Sequence, residues 1–533
     1  MNLKKEYLSL TGDTEDLQIL HHNENFAELA LIFPNVNSIW IPKKSETTLR
    51  KYVSKTLLKE IDPDSNVAVE KCLLVLSNFA STYHTEDKED RWKRLNSEIL
   101  HEQTKNKDNT YIYTKIVELL KTGTSKGAMI EVDKHYAKGA SRKYRISDGY
   151  FKPGLTEYLI KDSGIIQTRN KIYFRLLNEA LDNLICNNLV KFYPRIELPT
   201  SGELLITGKE LVKQKYATKK RKILTMRNKH DNNYWADAYH RSFVEDNIKM
   251  FEYLTNRGFM IPTAGGEKSG GRVVDSFTLM PAWIRNEITV GGKKLVECDY
   301  KALHPNLAMY LYNGKQKYLT HEKIAEETGI DSKLIKTEHL SFFNKNWHGM
   351  IKSPLFNYYS KHEQKMLSRI YHDKKTNSYK VTSKKMFKLE VEIMTDVIKH
   401  LNSVGIYVLY VYDALLCEEK DKTVVMETMN RIILEHGVKT CVKDTSAKID
   451  VECAISDEVS GVGDAGRITL KEYFDKCRKK YKHSVRKEQF DYHFNVLSEF
   501  FNYIDEVGEN YRKDCWVEFQ NKDGDYGRIS LFD

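Results

Sequence analysis

The stretch Lys294–Tyr312, KLVECDYKALHPNLAMYLY, constrains this chain more than any other. Leu295, Val296 and Cys298 form a short apolar run that ends on an acid, Asp299. Leu303, Leu307, Ala308 and Leu311 then recur at helical spacing. The pattern predicts a buried strand carrying one carboxylate at its end, followed by a helix. Ile406–Leu416, IYVLYVYDALL, carries Asp413 in the same way. An anionic aspartate among Val, Leu and Tyr is costly to bury unless a cation meets it. Two acids so placed point to one metal site shared by neighbouring strands. The plainer alternative is a pair of strand-end acids facing water.

Composition narrows the class. At 533 residues the chain has room for roughly two to four domains and a sizeable core. Hydrophobic residues at 41% and aromatic residues at 11% argue for a folded protein rather than a disordered one. The net charge of +10 is the small excess of 84 basic over 74 acidic residues, so a polyanion partner depends on where the charge is placed. The 32 tyrosines are mostly packing residues, with some as stacking platforms. Eight cysteines show no CxxC or CxxH spacing, and Cys298, Cys417 and Cys453 lie in apolar runs as expected free thiols. Lys4, Lys5 and Glu6 follow Met1 closely, and no apolar run is long enough to span a bilayer. The expectation is a soluble, cytoplasmic protein with no membrane association.

Residues 1–105 read as a helical N-terminal region, most apolar over Val67–Phe79, without an acidic cluster of the proofreading-exonuclease kind. Residues 106–150 sharpen. Ile112, Ile116, Leu119 and Leu120 give a helix face. Two strand-like runs follow, Ala128–His135 and Lys143–Ser147, joined by a basic, glycine-containing tip. A helix leading into such a hairpin resembles a winged-helix module. Lys138, Arg142 and Lys143 are its candidate phosphate contacts, against the alternative of a hairpin with solvated lysines.

Residues 151–260 read as helical and basic. The run Lys209–Lys229 includes Lys219, Lys220 and Arg221. Its interleaved apolar residues suggest a helix with one basic face, either solvated or set against a nucleic-acid backbone. A further helix is expected over Trp235–Arg257. Thr263–Arg272 is glycine-rich but lacks the GK[ST] of a phosphate-binding Walker loop.

The order of these features resembles the polymerase core of the family A DNA polymerases and, more distantly, the bacteriophage single-subunit RNA polymerases. The residues that carry it are Gly271-Arg272, Arg285, the Gly291-Gly292 turn, Asp299-Tyr300, a helix over Lys388–Ser403, Gly405, and Val411-Tyr412-Asp413-Ala414-Leu415. A helix over Val424–His436 and an alternating run, Ala447–Ile455, follow. The likeness covers about residues 260–460.

It implies an α+β right-hand fold: a palm with an antiparallel sheet over 261–460, helical fingers inserted at about 313–385, and a helical thumb over 151–260. A basic, aromatic tail, 461–533, ends the chain, either as a partner- or template-binding module or as a small helical cap. The implied activity is template-dependent nucleotidyl transfer, DNA-directed DNA synthesis first. The implied catalytic and metal-binding residues are Asp299 and Asp413, with the Tyr300 carbonyl as a third donor to two Mg²⁺ ions, Mn²⁺ being the alternative. Template, primer and nucleoside triphosphates are the implied partners. Lys336, with Lys333 competing, matches the one surviving position of the family's nucleotide-binding helix. His304 stands where the family's sugar-gating Glu lies, and Arg272 and Arg285 are set toward primer–template or triphosphate.

The sequence departs from the family at Tyr412 and Ala414, where the family has His and Glu, so Glu418 and Glu419 are the stand-ins for a third carboxylate. An RNA polymerase or primase on the same scaffold, an inactive DNA-binding replication initiator, and a two-metal nuclease are the alternatives. A reverse transcriptase fits less well, because Asp413 is followed by Ala414 rather than by a second aspartate.

Overall fold

The computed structural model describes residues 38–84, 91–106, 109–122, 124–133, 142–218, 222–227, 240–255, 259–316 and 318–443, and the backbone of Trp516–Gln520 and Tyr526–Ser530. Lys138, Lys219, Lys220, Arg221, Cys453 and the Ala447–Ile455 run lie outside these residues. Two compact units divide the chain, one through Asp444 and one from Thr445. In the second, Trp516–Gln520 pairs antiparallel with Tyr526–Ser530; the remainder of the tail lies outside the described residues.

The first unit is mixed α+β with small sheets, and it holds two apolar cores. One runs from Ile39 to Ile165, across the points at 105/106 and 150/151 where the sequence suggests divisions. Its centre is the helix Ser65–Ser77, capped by Asp64, whose carboxylate accepts from Asn66 N at 2.7 Å. Ala68 through Leu76 are buried without interruption, as expected of a helix surrounded by protein rather than lying on a surface. The strand Ser38–Pro42 packs on this helix and pairs antiparallel with Leu155–Leu159. Helices Ser97–Thr104 and Tyr113–Thr122 cover its other side. A three-stranded sheet completes the region, with Lys143–Ile146 lying between Lys93–Arg94 and Ile130–Val132. The helix face and hairpin expected from Ile112 to Ser147 are present, and Ile130 is opposite Ile146 in the register.

The second core runs from Phe174 to Val442. Its sheet sets Ala414–Cys417 between Val296–Asp299 and Leu409–Val411, antiparallel to both. Every residue of Leu409–Val411 and Ala414–Cys417 is buried, which explains why those runs show no polar alternation. Helices Leu303–Leu311 and Val381–Ser403 pack on one another beside the sheet. The second helix buries Met386, Leu389, Ile393, Met394, Val397, Ile398 and Leu401, each contributing on the order of 1.5–3 kcal/mol. Five helices between His321 and Thr376 separate the two in sequence. The helix Lys422–Glu435 follows the sheet, and the chain then returns along the free edge of the Asp299 strand. There Lys301 N donates to Cys441 O at 2.7 Å and Lys443 N to Asp299 O at 2.9 Å.

Two helical expectations need correction. The Lys209–Lys229 run is not one helix. The helix Ser201–Lys213 ends before Lys215, whose φ of +54° is left-handed, and Ile223–Thr225 is a strand parallel to Arg241–Phe243. β-Branched Ile223 and Thr225 suit a strand better than a helix. That second strand also delays the next helix, which runs Val244–Thr255 rather than starting at Trp235. Cys298 and Cys417 are buried free thiols. No helix among the described residues is long and apolar enough to cross a membrane.

Candidate divalent-cation centre

Asp413 is presented by a turn of two residues. Val411 and Ala414 pair across it, Tyr412 takes a φ of +60°, and Asp413 follows. A left-handed conformation at a bulky residue costs on the order of 1 kcal/mol or more and persists only when its surroundings hold it. Here the Arg272 guanidinium lies 5.0 Å from the centre of the Tyr412 ring and 3.7 Å from that of Phe387, clamping the turn from one side. Across the sheet Asp299 is opposite Ala414, so the register brings the two expected acids to the same end. Burial, reinforced by the negative charges of Asp299 and Glu390, pushes the Asp413 carboxyl up to about 6. An anion there is electrostatically undersupplied with cations.

Glu390 was not among the residues expected. It sits on the Val381–Ser403 helix, fully buried, and receives Arg272 through two bonds: Nε to Oε1 at 2.8 Å and Nη2 to Oε2 at 2.5 Å. His304 Nε2 lies 3.0 Å from Glu390 Oε2 and 3.0 Å from Arg272 Nη2. Burial works against this anion, but His304 and Arg272 outweigh it and hold the carboxyl below its usual range. The glycine loop makes the contact possible. Gly270 has a φ of +65°, and a Cβ there would come within 2.6 Å of Lys388 N. Only a residue without a side chain lets the loop lie on the helix and deliver Arg272 beside Glu390. One signal for Glu390 was visible in the sequence: it falls on the apolar stripe Met386, Ile393, Met394 and Val397, where an acid has no solvent to face.

Asp299 has a counter-ion from the returning segment, with Lys443 Nζ 2.7 Å from its Oδ2. The Tyr300 phenol points inward and donates to Met429 O at 2.9 Å, leaving only the main chain of Tyr300 beside the acids. On the far side stand His321 and His339, Nδ1 to Nδ1 at 3.1 Å, with His339 Nε2 2.8 Å from the Tyr359 hydroxyl. Burial pushes His321 down to about 4. Lys336 and Lys443 deepen the shift while Glu322 and Asp299 oppose it. Lys336, Lys443 and Asp299 therefore all lie within electrostatic reach of one imidazole. Lys333 is exposed one turn earlier on the same helix, Ser332–Phe342.

The other expected residues are placed elsewhere. Arg285 is buried, and its Nη1 donates to Phe277 O at 2.8 Å, which ties down the turn before it. Glu418 is ion-paired with Arg195 and Lys420, and the carboxylates that raise Asp413 are Asp299 and Glu390. Arg142 and Lys143 belong to the other core, at the start of the middle strand of its sheet. The donor set at the strand ends is two carboxylates with a lysine ammonium already standing in as cation. Hard oxygen donors of this kind suit Mg²⁺ or Mn²⁺. No family model matches the chain, and no curated protein matches it.

Proposed function

We propose that the chain is a template-dependent nucleotidyltransferase, a DNA-directed DNA polymerase whose palm, fingers and thumb resemble those of family A. The observation that carries the reading is the convergence of Asp299 and Asp413 at the same end of directly paired strands, with Asp413 raised by burial and then by its neighbours' charge. Asp299, Asp413 and the Tyr300 main chain would hold two Mg²⁺ or Mn²⁺ ions. Bound there, such ions lower the charge on a reacting phosphate and activate a primer hydroxyl.

The rest of the work falls to this chain's own side chains. Lys336, which like Asp299 acts on His321 and lies outside the buried helix face, supplies fixed positive charge for a triphosphate, with Lys333 as its exposed neighbour. Arg272 holds the Tyr412 turn, and so the orientation of Asp413, while Glu390 fixes Arg272. The helices from His321 to Thr376 serve as fingers, and those from Ser163 to Lys213 as thumb. The helix Tyr113–Thr122 followed by the antiparallel strands Ile130–Val132 and Lys143–Ile146 fits a winged-helix module, with Arg142 and Lys143 at the start of its second strand. That supports phosphate contact with a duplex.

A second reading keeps the chemistry and changes the sugar. His304, held by Glu390 and Arg272, stands where a carboxylate gates the sugar in the family, which favours ribonucleotide use by an RNA polymerase or primase on the same scaffold. The test offers dNTPs or NTPs, with and without primer, on DNA and RNA templates and follows product length. Products longer than the primer are expected. Shortening of the primer identifies a metal-dependent nuclease instead, and no change in length under any condition contradicts both polymerase readings.

A further inference from the structure

We propose that Lys443 is an exchangeable counter-cation of the carboxylate pair: its ammonium occupies Asp299 until a divalent cation displaces it. The inference rests on the reading of Asp299 as a metal ligand, and it assigns a role to a residue which that reading leaves out.

Two cationic groups serve the acids at this site, and they are built differently. Arg272 is bound to a fully buried carboxylate by two bonds and lies over the rings of Phe387 and Tyr412, so its position is fixed. Lys443 makes one side-chain contact of 2.7 Å to Asp299, at a site where the lysine is 31% and the aspartate 19% exposed. Its root is fastened while its tip is not. The segment carrying it is fixed to the edge of the Asp299 strand by Lys443 N to Asp299 O at 2.9 Å, Lys301 N to Cys441 O at 2.7 Å and Thr440 Oγ1 to Lys301 O at 2.5 Å. Val442 N also donates to Asn430 Oδ1 at 2.8 Å. From that anchor a flexible four-carbon stem carries a point charge, the type of cation that leaves a partner without disturbing the backbone.

His321 feels the charges of Lys443, Lys336 and Asp299 alike, so the ion pair belongs to the same electrostatic neighbourhood as Lys336. A partly exposed single ion pair is also weak enough to yield. A divalent cation binding two carboxylates at once gains on both, whereas Lys443 meets only one. The lysine thus neutralises Asp299 in the metal-free protein and competes with the metal for it. The competition is modest, and removing it should strengthen metal binding about two- to fivefold.

The experiment is Mn²⁺ binding to the full chain, without nucleotide, followed by the electron paramagnetic resonance signal of the free ion. Lys443→Ala, and Lys443→Met, which keeps the aliphatic stem, should each bind Mn²⁺ about two- to fivefold more tightly than the parent chain. Lys443→Arg should bind no more tightly than the parent. In an Asp299→Asn background, Lys443→Ala should have no effect. If Asp299→Asn weakens Mn²⁺ binding but Lys443→Ala and Lys443→Met leave it unchanged or weaker, the lysine is not a competitor and the proposal fails alone. If Asp299→Asn leaves Mn²⁺ binding unchanged, Asp299 is not a metal ligand, and the proposal falls together with the reading beneath it.

Discussion

Glu70 and Asp413, one beside each core of the first unit, meet opposite surroundings. Glu70, in the N-terminal core, is almost fully buried and fully served: the Tyr158 hydroxyl donates at 2.8 Å, Lys161 N at 2.8 Å and Asp162 N at 3.0 Å. It staples the central helix to the chain leaving the Leu155–Leu159 strand, and nothing further is asked of it. Asp413, beside the second core, is half-buried next to two more carboxylates; burial raises its pKa and their charge adds to the rise instead of relieving it. The second core treats its cations with equal care where the role is structural, since buried Lys374 donates to Phe343 O at 2.8 Å and Lys345 O at 2.9 Å. Burial also raises the carboxyl of Asp275 in this core, but Asp275 accepts from Thr278 N at 2.7 Å and the Tyr193 hydroxyl at 2.8 Å, whereas at Asp413 the neighbouring carboxylates add to the shift. A carboxylate raised by other carboxylates is a candidate place for a ligand.

That contrast breaks if the acids behave alike. The largest effect is expected in catalysis: Asp299→Asn or Asp413→Asn should lower nucleotide incorporation by on the order of a thousandfold or more. Duplex binding, measured by fluorescence anisotropy, should stay within about twofold. Near-normal extension by either variant removes the assignment. Next in size is Glu390→Ala, which strands Arg272 and His304 in the interior and should cost about 3–5 kcal/mol in denaturant unfolding. Glu70→Ala leaves buried donors without an acceptor and should cost about 1–3 kcal/mol. It should spare the chemistry, because it lies in the other core. Glu70→Ala that abolished incorporation at normal stability would contradict the division of roles.

The smallest expected effect runs in the opposite direction. The carboxyl of Asp413 is raised above its unfolded value near 4, so the folded state holds the proton more tightly. Its favourable contribution is present below about pH 4 and is lost as pH rises through about 6. Asp413→Asn is spared that loss. In metal-free buffer it should therefore be more stable than the parent by on the order of 1–2 kcal/mol at pH 7–8, with the gain vanishing toward pH 4. Thermal melts across that range check the sign, and an inactive variant more stable than its parent is the signature of a functional acid as opposed to a structural one.

The sequence made the strand ending at Asp299, its following helix and the strands around Asp413 legible, because continuous apolar runs and helical spacing each point one way there. The Gly291-Gly292 turn was equally plain, and both glycines take the positive φ that the turn requires. Glu390 was legible only to a reader who projected the whole Val381–Ser403 helix and noticed an acid on its apolar face. Lys443 carries no local signal. Its role comes from a return of the chain to a strand edge, and no pattern in residues 440–443 announces that pairing. The strand Lys93–Arg94 is two residues long, too short for periodicity, yet it completes the sheet of the N-terminal region. The Lys209–Lys229 run misled for a physical reason: a solvated helix and a turn followed by a strand both accept lysines freely, so basic composition does not separate them.

The most direct test of the central claim is a count of bound ions. Titrated with Mn²⁺ in the presence of a non-hydrolysable nucleoside triphosphate, the parent chain should bind about two ions in excess of the nucleotide-alone control. Asp299→Asn and Asp413→Asn should each lose at least one of them. Equal ion counts in the parent chain and both variants would mean that these two acids do not hold the metal, and the account would be wrong at its centre.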